Sequence, residues 1–202
     1  MKSVKHNLLF PRLKKALRVD HPKESLKSSH GLKKIVLVGT PNVGKSVIFN
    51  FLTGAYVTVS NYPGTTVEIS RGKTFIKEKE TWEVIDTPGM YSLLPITEEE
   101  RVSRTLLLED NPDVVLHIID AKNLERILNL TIQLIEAGLP VILVINMIDE
   151  ADKLGIKVDP AILESLIGIP VVTTSAASGY GLDTIKNTIW DYYQNNTLGK
   201  QA

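Results

Sequence analysis

The chain has 202 residues, 43% of them hydrophobic, with 23 basic and 23 acidic side chains. This length and apolar content suit a single hydrophobic core. The absence of cysteine excludes disulfides, thiolate metal sites and a cysteine nucleophile. No apolar run approaches the roughly 18 residues that a membrane-spanning helix needs. The first residues do not form a signal peptide, so we expect a cytoplasmic protein.

The basic charge is concentrated at the N-terminus. Up to Lys34 the sequence has ten Lys and Arg residues against two acidic ones, and the remainder carries the opposite excess. Within residues 1–20, leucines lie at helical spacing among basic side chains, and a polar linker follows. We therefore predict a flexible arm over residues 1–32. It is either disordered and solvated, or a short amphipathic helix that contacts an anionic membrane surface or an acidic partner.

Downstream of the arm, short β-branched runs alternate with longer amphipathic ones, a pattern typical of doubly wound α/β folds. The strands are KIVLV, VEISRGKTFI, TWEVID, VVLHIID, PVILVIN and PVVTTS, and the helices between them include VIFNFLTG, NLERILNLTIQLIEAG and PAILESLIG. The second and third strands form a hairpin across KEKE. We predict a six-stranded, mostly parallel sheet with one antiparallel edge strand, in a domain over residues 33–194 followed by a tail over 195–202.

Local signals mark three ends of two predicted helices. Asp159 followed by Pro160 is typical of a helix start, and Gly138 and Gly168 stand where helices end. In a parallel sheet of this kind, ligands bind at the carboxyl ends of the strands. The polar motifs of the sequence all follow predicted strands, so we expect them to meet at one edge.

The first motif is GTPNVGKS, residues 39–46, which follows the first strand and opens a helix. This is the context of a phosphate-binding loop, and it predicts a P-loop NTPase. The glycines permit the turn, main-chain N–H groups face the β- and γ-phosphates, Lys45 adds a cation and Ser46 offers a hydroxyl to Mg²⁺. The expected phosphate-contacting residues are Gly39, Thr40, Pro41, Asn42, Val43, Gly44, Lys45, Ser46 and Val47.

Two further motifs point to guanine. In NMID, the Asp149 carboxylate can accept from the ring N–H and the exocyclic amine of guanine, a pair of donors that adenine lacks. A helix cap is the alternative for such a polar cluster, but TSAASGYG after the last strand offers backbone N–H groups to guanine O6 and favours a base site. Asn146 can brace the phosphate loop, and Met147 can cover the base. The expected base-contacting residues are Asn146, Met147, Asp149, Ser175, Ala176 and Ala177.

Two segments are predicted to be nucleotide-dependent switches. In DTPG, Asp86 can hold an Mg²⁺-bound water, the Gly89 N–H can sense the γ-phosphate, and Thr87 and Pro88 lie between them. In SNYPGTTVE, Thr66 is the expected second hydroxyl on Mg²⁺. Thr65 is the adjacent alternative. The predicted metal set is therefore Ser46, Thr66 and, through water, Asp86.

From residue 34 to about residue 193 the sequence resembles the G domain of the ferrous iron transport protein B (FeoB) family. The resemblance rests on the motifs above and on PGTTVE, MYSL and NLERILNLTIQL. It implies a small-GTPase-like domain that binds GTP and GDP and hydrolyses GTP slowly, coupled to a ferrous iron permease at the inner face of the membrane. The permease would be part of the same chain if this sequence is a fragment, and a separate protein if it stands alone.

Met90 occupies the position where a Ras-like enzyme has a glutamine that orients water. A positive charge between the β- and γ-phosphates can replace part of that contribution. The family resemblance implies K⁺, held by Asn42, nucleotide oxygens and carbonyls of SNYPG. The alternative is that Asn42 only hydrogen-bonds within its loop. The predicted catalytic residues are Asn42, Lys45, Thr66 and Gly89.

Other polar residues have structural interpretations. His117 lies in an apolar strand and is predicted to be a core histidine, and the remaining histidines lack carboxylates at ligand spacing, so we predict no Fe²⁺ site. Trp82 and Trp190 are expected to pack in the core, and three acidic residues beginning at Glu98 are expected to open a helix.

Two other functions compete with this one. An RNA- or ribosome-associated GTPase would use the basic arm, but the arm lacks interleaved aromatics and we do not expect nucleic acid as a partner. A nucleotide-binding module with negligible turnover remains an alternative because of Met90. Turnover measured in K⁺ separates this module from an active GTPase.

Overall fold

A computed structural model describes residues 31–54, 57–77 and 80–198 of the chain. These residues form seven strands: β1 (Lys33–Val38), β2 (Val57–Asn61), β3 (Glu68–Phe75), β4 (Thr81–Asp86), β5 (Val114–Asp120), β6 (Val141–Asn146) and β7 (Val171–Thr173). The α-helices are α1 (Lys45–Thr53), α2 (Glu98–Glu109), α3 (Leu124–Glu136), α4 (Ile148–Lys153), α5 (Pro160–Ile167) and α6 (Leu182–Leu198). Residues 1–30 of the predicted basic arm lie outside the described residues.

The strands form one sheet in the order β2-β3-β4-β1-β5-β6-β7. From β4 to β7 neighbouring strands are parallel, and β3 is antiparallel to both β2 and β4. The α/β class, the mostly parallel sheet and the hairpin are confirmed. The predicted strand count is wrong: the described residues form seven strands rather than six, and the antiparallel strand β3 is second from the edge.

The strand missing from the sequence prediction is β2. Four of its five residues are exposed, and Ser60 alone is partly buried. The sequence VTVSN therefore carries no continuous apolar run, because an edge strand on this part of the sheet buries little. By contrast, all residues of β5 and β6 are buried, which is why their apolar runs were visible in the sequence.

Helices cover both faces of the sheet. On one face, α1 and α6 contribute residues such as Phe49 and Ile185 to a core cluster with β1 and β5. On the other face, residues of α2 and α3 such as Leu106 and Leu134 pack against the same strands. This arrangement leaves the carboxyl ends of the parallel strands as the edge where the connecting loops meet. Within the described ranges, no helix combines the length and apolar character needed to cross a membrane.

The predicted helix ends agree with the structure. The Asp159 carboxylate accepts hydrogen bonds from two N–H groups at the start of α5, with Pro160 in the first turn. Gly168 ends α5 with a φ of 72°, and Gly138 follows α3 with a φ of 73°. These left-handed conformations suit glycine. The last helix continues to Leu198, past the predicted domain boundary at residue 194.

The residues predicted to be structural lie in the core. Trp82 is fully buried and meets the Tyr193 ring edge-on at 5.0 Å, and Trp190 packs against the same cluster. His117 is fully buried, its Nδ1 lies 3.0 Å from Thr131 Oγ1, and burial lowers its pKa to about 3. A neutral histidine of this kind ties β5 to α3.

Candidate nucleotide-binding site

The loop between β1 and α1 has the backbone of a phosphate loop. Gly44 precedes α1 with a φ of 85°, and Asn42 also has a positive φ of 66°. A Cβ at Gly39 would collide with the Ile118 carbonyl, and one at Gly44 with the Asn146 amide nitrogen. Among the described residues, no side chain caps α1, so its N-terminus can receive an anion.

Lys45 joins this loop to the DTPG segment. Its Nζ forms an ion pair with Asp86 Oδ1 and donates to the Thr87 carbonyl oxygen at 2.6 Å. Both charged side chains are 12% exposed. Burial raises the pKa of the Asp86 carboxyl, while the Lys45 ammonium and the Ser46 hydroxyl act in the opposite direction. The contact holds a cation and a carboxylate at the carboxyl ends of two neighbouring strands.

The DTPG segment also packs directly on the phosphate loop. Thr87 donates through its N–H and its hydroxyl to the Leu37 carbonyl, at 3.3 and 2.8 Å. The Met90 N–H donates to the Gly39 carbonyl at 3.1 Å, and the Met90 side chain is fully buried. A Cβ at Gly89 would lie 2.8 Å from the Pro41 ring. The sequence predicted that these segments meet, but it did not predict that Met90 is a core residue.

In the first switch segment the two adjacent threonines differ. Thr65 makes a turn: its hydroxyl donates to the Tyr62 carbonyl at 2.9 Å and accepts from the Val67 N–H at 3.2 Å. The Thr66 side chain is exposed. In the described part of the chain, no hydrogen bond joins Thr66 to the phosphate loop. The geometry favours Thr66 over Thr65 as the residue with an available hydroxyl, and its role on Mg²⁺ stays a prediction.

Asn146 connects the phosphate loop to the segment after β7. Its Nδ2 donates to the Val43 carbonyl at 2.9 Å, and its Oδ1 accepts from Thr174 Oγ1 at 3.0 Å and from the Ala176 N–H at 2.9 Å. Bracing of the loop by Asn146 was anticipated. The part played by Thr174 was missed, because nothing in the pair of adjacent threonines shows which side chain turns inward.

The N–H groups suggested for guanine O6 have internal partners in this structure. The Ser175 N–H donates to the Tyr180 carbonyl at 3.1 Å, and the Ala176 N–H donates to Asn146. Their roles toward a base, like that of the exposed Ala177, stay predictions. Met147 takes a φ of 62° before α4 and is partly buried.

Asp149 is held by the Ser175 side chain. Ser175 Oγ donates to Asp149 Oδ1 at 2.6 Å and accepts from the Asp149 N–H at 3.1 Å. The hydrogen bond from Ser175 is the main cause that lowers the pKa of the Asp149 carboxyl. The carboxylate is therefore ionised at neutral pH, and it is exposed. Both properties are needed if it is to accept hydrogen bonds from the two guanine donors. The sequence pointed to the Ser175 backbone and missed its hydroxyl.

The loop after DTPG is anchored by Glu100. The Thr97 hydroxyl accepts from the Glu100 N–H at 3.2 Å, and the Glu100 carboxylate accepts from the N–H groups of Tyr91, Ile96 and Thr97 at 3.2, 2.8 and 3.4 Å. Thr97 and Glu100 therefore form a capping box at the start of α2. The Glu100 carboxylate also holds the loop that precedes this helix. Hydrogen bonds from the backbone, first of all from Ile96, lower the pKa of Glu100 below its ordinary value of 4.5.

Glu100→Gln should lower the free energy of unfolding by about 1–2 kcal/mol at neutral pH, because an amide NH₂ would face a backbone donor. Since the folded-state pKa is lowered, the contribution of Glu100 is present above its ordinary pKa and is lost as the pH falls through the lower folded-state value. Urea unfolding across this acidic range measures it. Exposed Glu99→Gln is the matched control, and equal stabilities of the two variants at neutral pH would contradict the anchoring role.

Comparison with known proteins identifies the family. The family model described as ferrous iron transport protein B matches residues 33–189. The Fe(2+) transport protein A/Fe(2+) transporter FeoB fusion protein of Porphyromonas gingivalis is 45% identical over 157 residues, which cover 77% of this chain and 18% of the relative. The Fe(2+) transporter FeoB of Campylobacter jejuni is 43% identical over 156 residues, 77% of this chain and 25% of the relative. The chain thus spans about a quarter or less of these relatives.

Solved structures agree. The FeoB G-domain from Methanococcus jannaschii is 39% identical with a TM-score of 0.70, over 80% of this chain and 97% of that one. The cytosolic domain of the T. maritima FeoB iron transporter in its GMPPNP form is 41% identical with a TM-score of 0.75. The match covers 81% of this chain and 64% of that one. Sequence and structural similarity therefore lead to the same conclusion: the chain belongs to the ferrous iron transport protein B family.

Proposed function

We propose that this chain binds guanosine triphosphate, hydrolyses its terminal phosphate slowly, and acts as the switch domain of a ferrous iron transporter. The proposal rests on one observation: three segments meet at one edge of the sheet. Lys45 connects the phosphate loop to Asp86, and Asn146 connects the same loop to the segment that holds Ala176. The related T. maritima domain has been solved in GDP and GMPPNP forms, which supports a guanine nucleotide here.

The phosphate loop would bind the β- and γ-phosphates through its N–H groups and the start of α1. The tight approaches at Gly39 and Gly44 leave no space for a side chain, so the backbone itself forms the cradle. Lys45 would exchange part of its contact with Asp86 for the phosphates. The adjacent Gly89 is close enough to the loop for its N–H to respond to a terminal phosphate.

The residues around Lys45 fit Mg²⁺. Ser46 offers an exposed hydroxyl at the start of α1, Asp86 offers a carboxylate on the next strand, and Thr66 offers an exposed hydroxyl on the first switch. Oxygen ligands of this kind, few in number and supplemented by phosphate and water, are what Mg²⁺ prefers. When bound, Mg²⁺ would neutralise charge on the β- and γ-phosphates.

Guanine would be selected by Asp149. Its carboxylate is exposed, ionised and oriented by Ser175, so it can accept from both guanine donors. Adenine presents an acceptor and a single amine at the same edge and would leave the carboxylate opposite a lone pair. A site built to hydrogen-bond guanine rejects such an analogue, because its polar groups are left without partners once the base covers them.

Hydrolysis would proceed without a glutamine next to Gly89. Met90 is buried, so it cannot orient water. The groups left to the chain are the Gly89 N–H, the Thr66 carbonyl and the exposed amide of Asn42. We propose that Asn42 holds K⁺ beside the phosphates. The burial of Met90 equally favours a nucleotide-binding module with negligible turnover, and the experiment below separates the two.

Turnover of GTP should be about tenfold or more faster in K⁺ than in Na⁺ for the wild-type chain, because a cation between the phosphates neutralises developing charge. Asn42→Ala should remove this difference and leave GTP affinity within a few-fold. The exposed Asn50 of α1 gives the matched control, Asn50→Ala. Equal rates in both salts for all three proteins would contradict the role of K⁺, and no turnover in either salt would favour the nucleotide-binding module.

We further propose that the two switch segments report the nucleotide state to a permease for ferrous iron, in the same chain or in a separate protein, at the cytoplasmic face of the membrane. The relatives that this chain matches are transporters several times its length. Contact between residues 1–20 and an anionic membrane surface stays a prediction, since these residues lie outside the described ranges. Cofractionation of the native protein with membranes, and its release on removal of the permease, tests the partner.

A further inference from the structure

Residues 92–94, which follow the DTPG segment after Met90 and Tyr91, are held by one side chain of α3. Gln133 Oε1 accepts from the Leu93 N–H at 2.8 Å and from Ser92 Oγ at 3.1 Å. Ser92 Oγ also accepts from the Leu94 N–H at 3.1 Å. A single amide oxygen, 40 residues away in the sequence from Leu93, therefore organises three consecutive residues of the loop.

The helix that carries Gln133 is firmly attached to the sheet. Its residues Leu130, Thr131 and Leu134 are buried, with exposures of 1% or less. Thr131 Oγ1 is also 3.0 Å from His117 Nδ1 in β5. Because these neighbours on α3 are fixed in the core, Gln133 offers the loop an acceptor that moves only with the whole domain.

Part of the loop faces an open space beside α3. A cavity of about 590 Å³ lies there, bordered by Thr40 of the phosphate loop, by Tyr91 and Ser92, and by residues of α3 that include Arg126 and Ile127. Leu93 packs against the apolar cluster on this face of the sheet, whereas Tyr91 and Ser92 border the open space. The backbone of these two residues therefore depends mainly on hydrogen bonds.

Three successive anchors connect the phosphate loop to Gln133. The Met90 N–H donates to Gly39, the Tyr91 N–H donates to Glu100, and the Leu93 N–H donates to Gln133. Each acceptor belongs to a different element of the fold. Residues 90–93 are therefore held at three points, and Gln133 holds the end of this run that is farthest from the phosphate loop.

We propose that Gln133 is a positioning residue for the second switch: its amide oxygen fixes Ser92 and Leu93, and thereby keeps Gly89 against the phosphate loop. The inference rests on the proposed GTPase function and adds to it a residue of α3 that does not touch nucleotide. Loss of the acceptor should lower kcat with little change in KM, because the groups proposed to hold the base and the phosphates are elsewhere.

The test compares two substitutions of similar size. Gln133→Met removes the acceptor, and Gln133→Glu keeps an oxygen that can accept both hydrogen bonds. Amide hydrogen exchange without nucleotide should be about tenfold faster at Leu93 in Gln133→Met, and within about twofold of wild type in Gln133→Glu. In GTP turnover, kcat should fall several-fold in the methionine variant, with KM changed less than about twofold, and the glutamate variant should behave as wild type.

Ser92→Ala provides a second route if Gln133→Met does not fold. It removes the Ser92 contacts and should speed exchange at Leu94 while Leu93 stays protected. Unchanged exchange at Leu93 in Gln133→Met, or at Leu94 in Ser92→Ala, would overturn the proposal, and so would a glutamate variant as impaired as the methionine variant. A wild-type chain without GTP turnover would instead refute the proposed function, and the exchange measurements would still decide whether Gln133 positions the loop.

Discussion

Asp149→Asn should weaken GTP binding by about a thousandfold and shift the preference of the chain to xanthosine triphosphate. The carboxylate can accept from both donors at the edge of guanine, whereas an asparagine amide has one acceptor and presents its NH₂ to the other donor. Xanthine carries a carbonyl where guanine carries the amine, so the same NH₂ would donate to it. For xanthine, the change replaces a repulsive contact with a hydrogen bond. For guanine, it replaces a hydrogen bond with a repulsive contact.

The contacts of Asp149 make this test clean. Asparagine can keep the hydrogen bond that Ser175 Oγ donates to Oδ1, so the local backbone should be preserved. Ser175→Ala is the matched control: it should weaken GTP binding only several-fold, because the carboxylate loses its orientation and keeps its charge. Competition of GTP, XTP and ATP for a fluorescent nucleotide measures all three affinities. GTP bound equally well by wild type and Asp149→Asn would show that Asp149 does not read the base.

The parts of the site that could be predicted from sequence are those whose chemistry is local. The residues GTPNVGKS require two glycines because the backbone turns against Ile118 on one side and Asn146 on the other. The placement of Asp86 at the end of β4, and of Asp149 in the first turn of the helix after β6, follows from the alternation of apolar and polar runs, since parallel strands bring their carboxyl ends to one edge. Local pattern and topology agree at these positions, so the prediction succeeded.

The parts that could not be predicted depend on side-chain direction or on burial. The hydroxyl of Ser175 turns toward Asp149, and that of Thr174 toward Asn146, although both residues belong to one run of small polar side chains. Gln133 lies on an amphipathic helix, where a polar side chain at this spacing is usually solvated. Strand β2 buries too little to leave a periodic signal. In each case the deciding interaction joins segments distant in sequence.

Lys45→Met should reduce GTP turnover by about a thousandfold or more and weaken GTP binding. The ammonium is the cation of the phosphate loop, and methionine keeps its length without its charge. In the absence of nucleotide the same change leaves the Asp86 carboxylate, 12% exposed, without its cation. Its pKa, already raised by burial, should rise further. The free energy of unfolding should therefore fall by about 1–3 kcal/mol at neutral pH.

The sign of the pH dependence follows from that pKa. A carboxyl whose folded-state pKa is raised destabilises the fold once it ionises, so the deficit of Lys45→Met should be small in acid and grow as the pH rises from about 4 to about 7. Adding Asp86→Asn should restore most of the stability, because a neutral amide replaces the unpaired charge, and should restore none of the turnover. Urea unfolding of the single and double variants measures this coupling. A double variant as unstable as Lys45→Met would mean that the lost stability comes from the packing of Lys45, while turnover retained in Lys45→Met would remove the phosphate loop from the proposed chemistry.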